Sequence, residues 1–145
     1  LISRFHSHKL EMKESLECWG SGKPRREFMH VDDLAEACIF ALEKWDPNKK
    51  DAPLGDSGEA LTWLNVGTGV DISIKELAEM IAEITSYKGK IIWDEEKPDG
   101  TYQKLLDVSK LKELGWRSKI SLQEGMKLTY EDFKKDLKAN KLRNK

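Results

Sequence analysis

Between Trp19 and Asp33 the sequence runs Trp-Gly-Ser-Gly-Lys-Pro-Arg-Arg-Glu-Phe-Met-His-Val-Asp-Asp. No helix or strand passes through its first half. Gly20 and Gly22 tolerate positive φ, and Pro24 fixes its own φ and donates no backbone hydrogen bond. Whatever precedes must stop at this bend, and a new element must start beyond it. The alternation of Glu27-Phe28-Met29-His30-Val31 predicts a short strand. Asp32 and Asp33 close it and open a helix, with Asp33 and Glu36 spaced as a capping box. The bend also carries Lys23, Arg25 and Arg26 beside the Trp19 ring. Guanidinium groups match phosphate oxygens bidentately, so the pattern suits a phosphate-bearing ligand with a flat ring. A solvated turn with ordinary surface charges accounts for the same residues, and the local pattern alone does not choose.

The other elements follow from periodicity and punctuation. Residues 1 to about 17 have helical spacing, with Leu1, Phe5, Met12 and Leu16 on a shared apolar stripe. Beyond the bend, a helix with Leu34, Cys38, Ala41, Leu42 and Trp45 on one face runs to about Lys44, where Asp46-Pro47 stops it. Residues 46–60 are rich in Pro, Gly, Asp, Asn and Lys and predict a surface loop. Residues 61–66 read as a strand. Ser73 and Glu76 form a second capping box, opening a helix that carries Ile74, Leu77, Ile81 and Ile84. Residues 90–93 are another strand, so 61–93 suggest a parallel βαβ unit. A polar loop around Pro98-Asp99-Gly100 leads to an extended stretch at 105–108. A two-turn helix then runs from Ser109 to Gly115-Trp116. Ser121 and Glu124 open a last helix with Leu122, Met126, Tyr130, Phe133 and Leu137 on one side, and the tail over 138–145 frays. The expected fold class is mixed α/β, a few short strands packed by amphipathic helices in one domain over 1–145.

Several function classes are disfavoured. A formal net charge of −1 argues against nucleic acid or an anionic membrane as the main partner. No apolar run approaches the roughly 20 residues that span a bilayer, and no signal peptide is present. Cys18 and Cys38 stand in no metal or redox spacing, so free thiols in a reducing cytoplasm are expected. Leu1-Ile2-Ser3-Arg4-Phe5 begins inside a helical pattern with no initiator Met and no capping residue, which reads as a piece of a longer protein.

Three patterns imitate chemistry. Gly67-Thr68-Gly69 after a strand resembles a dinucleotide loop, but Ile72 stands where close helix–strand packing wants Gly or Ala, so a tight turn is the better reading. Tyr130 and Lys134 have the spacing of a proton-relay pair, yet Tyr130 lies on the apolar stripe of its helix, which indicates core packing. His6 and His8 are i,i+2 on a helix and face apart, so with His30 they make no metal triad. His30 is expected to be a hydrogen-bonded structural residue.

The run from Trp19 to Ala35, with Arg26-Glu27-Phe28 leading into His30-Val31-Asp32-Asp33, resembles a signature of extended short-chain dehydrogenases acting on nucleotide sugars. Asn65-Val66-Gly67-Thr68-Gly69-Val70-Asp71, Lys97-Pro98-Asp99-Gly100-Thr101, and Lys104-Leu105-Leu106-Asp107-Val108-Ser109 with Leu114-Gly115-Trp116 narrow the resemblance. Together they are similar to the GDP-L-fucose synthase family, NADPH-dependent 3,5-epimerase/4-reductases of GDP-4-keto-6-deoxy-mannose. The resemblance implies a small carboxy-terminal substrate-binding domain without the Rossmann domain. By position, family substrate contacts fall on Arg4, Trp19, Arg26, Asp99 and Lys104. Arg26 and Lys104 would neutralise the diphosphate, Trp19 would wall the sugar or base, and Asp99 would accept hydrogen bonds from ribose or guanine. The family's catalytic and NADP(H)-binding motifs would lie before Leu1. No catalytic or cofactor residue is therefore assigned here, and Cys18 and His6 are not substitutes. The implied partners are a GDP-sugar, the amino-terminal Rossmann domain, and a second copy in a homodimeric parent enzyme. Two other readings stay open: another nucleotide-sugar enzyme, such as a 4,6-dehydratase or 4-epimerase, and a free-standing nucleotide-binding module.

Overall fold

A computed structural model describes residues 1–141. In chain order the elements are α1 (Ile2–Leu10), β1 (Ser15–Trp19), β2 (Arg25–Glu27), α2 (Val31–Lys44), β3 (Asp71–Ser73), α3 (Ile74–Thr85), β4 (Lys90–Asp94), β5 (Gln103–Lys104), α4 (Ser109–Glu113) and α5 (Leu122–Lys138). The fold class is the mixed α/β expected. Contacts divide the chain into two compact units. The first comprises Leu1–Arg26, Ile72–Gln103 and the chain from Gln123 onward; the second comprises Glu27–Asp71 and Lys104–Leu122. In a three-stranded sheet β2 lies between β3 and β5.

In the first unit, α1 is shorter than its spacing predicts. Met12 adopts left-handed backbone at φ 51 and ends the helical path. Ser15–Trp19 then forms a strand, with Leu16 and Cys18 buried and Ser15, Glu17 and Trp19 outward. The period of two overrides the helical stripe, because β1 pairs in parallel with β4 from Ser15↔Lys90 to Trp19↔Asp94. The parallel pair thus joins β4 to β1, not to residues 61–66. The capping box on α3 forms as read: the Ser73 hydroxyl accepts from the Glu76 amide at 3.1 Å, and the Glu76 carboxylate accepts from the Ser73 amide at 2.9 Å. Behind this cap α3 buries Leu77, Ala78, Ile81 and Thr85. Phe5 is fully buried and meets Tyr87 edge-on at 5.6 Å between centroids. Along α5, Tyr130 is buried as its stripe predicts, whereas Leu137 is exposed. The expected tail reaches past the described residues at 142–145.

In the second unit, α2 begins two residues before the predicted cap. His30 is the N-cap, its ring accepting from the Asp32 amide at 3.3 Å. This shortens the strand expected over 27–31, whose place is taken by β2 at Arg25–Glu27. Asp33 does not cap. It is 2% exposed, and its carboxylate accepts from the amides of Lys119 at 3.1 Å and Ile120 at 3.0 Å. That anchor turns the Asp33 side of α2 inward. Ala37 follows it into a cluster with Leu111 and Trp116, flanked by Met29, Phe40, Leu64 and Val66. The face predicted to be buried is therefore turned out: Leu34, Cys38 and Leu42 are exposed, and Ala41 and Trp45 are half-buried. Residues 61–66 form no strand, and among the described residues none of their backbone groups pairs with another backbone group. The stretch at 105–108 likewise joins no sheet. Residues 46–60 are turns with one bridge between Leu54 and Ala60. After α4, Gly115 at φ 102 supplies the left-handed residue that turns Trp116 back into the core.

Candidate functional site

The bend after β1 is built by glycine and held by a helix end. Gly20 has φ 79 and Gly22 φ 72, and neither has room for a side chain. A Cβ on Gly20 would strike the Asp99 carboxylate; one on Gly22 would lie 2.9 Å from the Trp93 ring. Pro24 and Gly22 offer their carbonyls to the amides of Ile74 and Lys75, each at 2.9 Å. The first donors of α3, which have no partner inside the helix, are thereby spent on the bend.

Asp99 reaches the bend from the loop after β4. Its carboxylate accepts from the Ser21 amide at 2.8 Å and the Ser21 hydroxyl at 2.6 Å. Those side-chain and backbone hydrogen bonds hold the carboxyl below its ordinary value. Because the folded-state pKa is depressed, the clip is fully formed above the ordinary carboxylate range and is lost as pH falls through the depressed value. An NMR titration is expected to show the Ser21 amide following Asp99, and Ser21→Ala to raise the Asp99 midpoint toward the ordinary carboxylate range. A midpoint unmoved by that substitution would contradict the assignment.

The two adjacent arginines separate. Arg25 is framework: its amide donates to the Tyr102 carbonyl at 2.7 Å, and its guanidinium lies 3.7 Å from the Glu76 carboxylate. Arg26 has no carboxylate partner among the described residues; one of its Nη atoms donates to the Arg25 carbonyl at 2.7 Å. The other Nη lies 3.2 Å from where a Cβ on Gly100 would stand. Ser21, Asp99, Gly100 and Arg26 are thus linked in space. Trp19, at the end of β1, is 72% exposed, and Arg4 donates from α1 to the Glu17 carbonyl at 2.5 Å. Lys104 is exposed and belongs to the second unit.

Sequence reasoning missed Ser21 and Glu27. In the second unit the Glu27 carboxylate accepts from the Gly69 amide at 2.6 Å, the Thr68 hydroxyl at 3.1 Å and the Leu106 amide at 3.2 Å. Two distant motif runs, 65–71 and 104–109, fold around this one side chain. The Gly67-Thr68-Gly69 turn accordingly wraps a carboxylate of the chain itself. No local signal in the sequence separates Glu27 from an ordinary strand glutamate.

The remaining candidates are structural. The Tyr130 hydroxyl meets His6 Nδ1 at 2.9 Å, and Lys134 stands 4.9 Å above the Tyr130 ring while pairing with Glu131 at 2.7 Å. Burial, with Lys9 and Lys134 adding to it, pushes the His6 pKa down. His8 turns to the Ser15 carbonyl at 3.1 Å. Cys18 and Cys38 are free thiols. Among the described residues no group of three or more His, Cys, Asp or Glu could hold a metal ion, and no helix is long and apolar enough to cross a membrane.

Residues 1–54 match the model of the NAD dependent epimerase/dehydratase family. Over 131 residues the chain is 47% identical to putative GDP-L-fucose synthase 2 of Arabidopsis thaliana, covering 90% of this chain and 36% of that protein. Over most of its length the chain is thus similar to proteins named GDP-L-fucose synthase. GDP-L-fucose synthase of Escherichia coli K12 is 45% identical over 133 residues, 92% of this chain and 40% of that enzyme. Among solved structures, a GDP-mannoheptose C4 reductase from Campylobacter jejuni with NADP bound is 37% identical. It aligns with a TM-score of 0.77 over 92% of this chain and 43% of its own. The chain therefore spans 36% and 40% of the two curated GDP-L-fucose synthases.

Proposed function

We propose that this chain is the GDP-sugar-binding part of a GDP-L-fucose synthase. The parent enzyme would convert GDP-4-keto-6-deoxy-D-mannose to GDP-L-fucose by 3,5-epimerisation and NADPH-dependent 4-reduction. The observation that carries the reading is Arg26, whose guanidinium has no carboxylate partner among the described residues and lies beside the Asp99-Gly100 turn. In this role Arg26 grips the diphosphate. Trp19 gives the sugar or base a flat wall, and Arg4 borders the same strand. Asp99, fixed by Ser21, keeps lone pairs that accept from ribose or guanine hydrogen-bond donors. This part binds and orients; NADPH, when bound by the rest of the enzyme, supplies the hydride.

Two assays test this. The 145-residue chain alone is expected not to oxidise NADPH with the keto sugar, and measurable turnover would overturn the division of labour. In the longer enzyme, GDP is expected to compete at least about tenfold better than UDP or dTDP, since a site built to hydrogen-bond one base rejects others. Equal competition would favour a different nucleotide-sugar enzyme.

A further inference from the structure

Away from the bend, the first unit carries a cleft of about 460 Å³, formed by the last turn of α1, the chain just past α3 and the first residue of β4. Small-molecule sites span roughly 300–1,000 Å³. Lys9, Lys13, Lys88 and Lys90 line the cleft together with His8, and Glu14 is the one carboxylate in the lining. Lys13 pairs with Glu11 at 2.8 Å, whereas Lys9, Lys88 and Lys90 pair with no carboxylate among the described residues. Cations beside helix carboxy-termini complement the macrodipole, and that alone would account for the lysines. It does not account for Tyr87.

Tyr87 belongs to the same lining yet is only 6% exposed, with Phe5 edge-on to its ring at 5.6 Å and His8 at 6.4 Å. Its hydroxyl is buried and has no hydrogen-bond partner among the described residues. A buried tyrosine hydroxyl ordinarily finds one. Burial pushes the phenol pKa up, so the group keeps its proton and remains a donor. Gly89 preserves the space beside it: a Cβ there would strike the hydroxyl and lie 2.7 Å from the Lys13 carbonyl oxygen. The lysines that share the lining are exposed, and such side chains change rotamer within nanoseconds. A donor without an acceptor, set among ammonium groups, calls for an anionic acceptor. The lining is apolar as well: Met12 is 86% exposed, and lysine stems add aliphatic surface.

We propose that this cleft binds a small organic phosphate, the phosphate oxygens facing the lysines and accepting from the Tyr87 hydroxyl, the rest of the molecule lying against Met12. The inference goes beyond the proposed function and uses none of its residues. Phenyl phosphate and inorganic phosphate are the probes, titrated into the 145-residue chain while NMR follows the Lys13 and Gly89 amides. Phenyl phosphate is expected to shift both amides and, at about ten times its Kd, to raise the melting temperature by about 5 °C. Inorganic phosphate, which has no apolar part, is expected to bind at least about tenfold more weakly. Tyr87→Phe removes a hydroxyl that nothing in the chain engages, so its melting temperature without ligand should equal or exceed the parent's. Its affinity for phenyl phosphate should nevertheless fall at least about tenfold, as should that of Lys88→Gln combined with Lys90→Gln. Arg26→Ala should leave the two amide shifts as they are. The inference is overturned by the absence of any shift at millimolar probe, by equal affinity for the two probes, or by affinity that survives Tyr87→Phe or the double lysine substitution. Shifts lost on Arg26→Ala overturn it too, moving the phosphate to the bend and leaving the proposed function standing.

Discussion

Replacing Asp33 with Ala is expected to lower the stability of this chain by about 3 kcal/mol, because two amides lose a charged acceptor at a buried site. The carboxylate is 2% exposed and takes hydrogen bonds from Lys119 and Ile120. It fastens the loop after Trp116 to the first turn of α2, where the helix end also favours a negative charge. Asp33→Asn keeps one acceptor oxygen and should cost less. Asp32→Ala is the control: Asp32 is exposed, and its amide keeps its bond to His30. Urea unfolding with an unchanged m-value measures the difference as a shift in midpoint. If Asp33→Ala were no worse than Asp32→Ala, the buried anchor would not be what sets the orientation of α2.

The second large effect concerns binding. In the longer enzyme, Arg26→Ala is expected to raise KM for the GDP-sugar about 10- to 100-fold, the equivalent of one or two charge-assisted hydrogen bonds of about 1.5–3 kcal/mol each. Removing Arg26 strands no carboxylate among the described residues, so circular dichroism and melting temperature should stay near those of the parent. Arg26→Lys should recover only part of the loss, since an ammonium cannot present two parallel donors. A KM unchanged by Arg26→Ala would remove the diphosphate role. Arg25→Ala is a useful contrast, because its amide bond to Tyr102 survives the substitution while its proximity to Glu76 does not.

Local chemistry was readable in the sequence wherever a feature closes on itself. The Ser73–Glu76 box and the Gly115 turn each need only residues within a few positions, and each forms as its sequence predicts. What needed a distant partner was not readable. Leu16 fits a helical stripe and, with Cys18, a strand alternation, and only pairing with β4 selects the strand. Asp33 has the spacing of a cap, but the amides of Lys119 and Ile120 compete for the same oxygens and win. At the site, the local pattern of the bend offers Arg25 and Arg26 as equals, and only the family resemblance singles out Arg26. Tyr102 and Glu76, far along the chain, engage one and leave the other. Ser21 and Glu27 went unseen for the same reason: their partners are Asp99 in one unit and residues 68, 69 and 106 in the other.

Side chains alternate along a strand, so the neighbours Arg26 and Glu27 leave β2 in opposite directions. A slip of a single position there would exchange their tasks, thrusting a cation among donors that await an anion and leaving an acid where the cation had been. A strand of only three residues carries little pairing to resist such a slip. The safeguard against misthreading must then come from its ends, where Pro24 and the cap at His30 clamp the register.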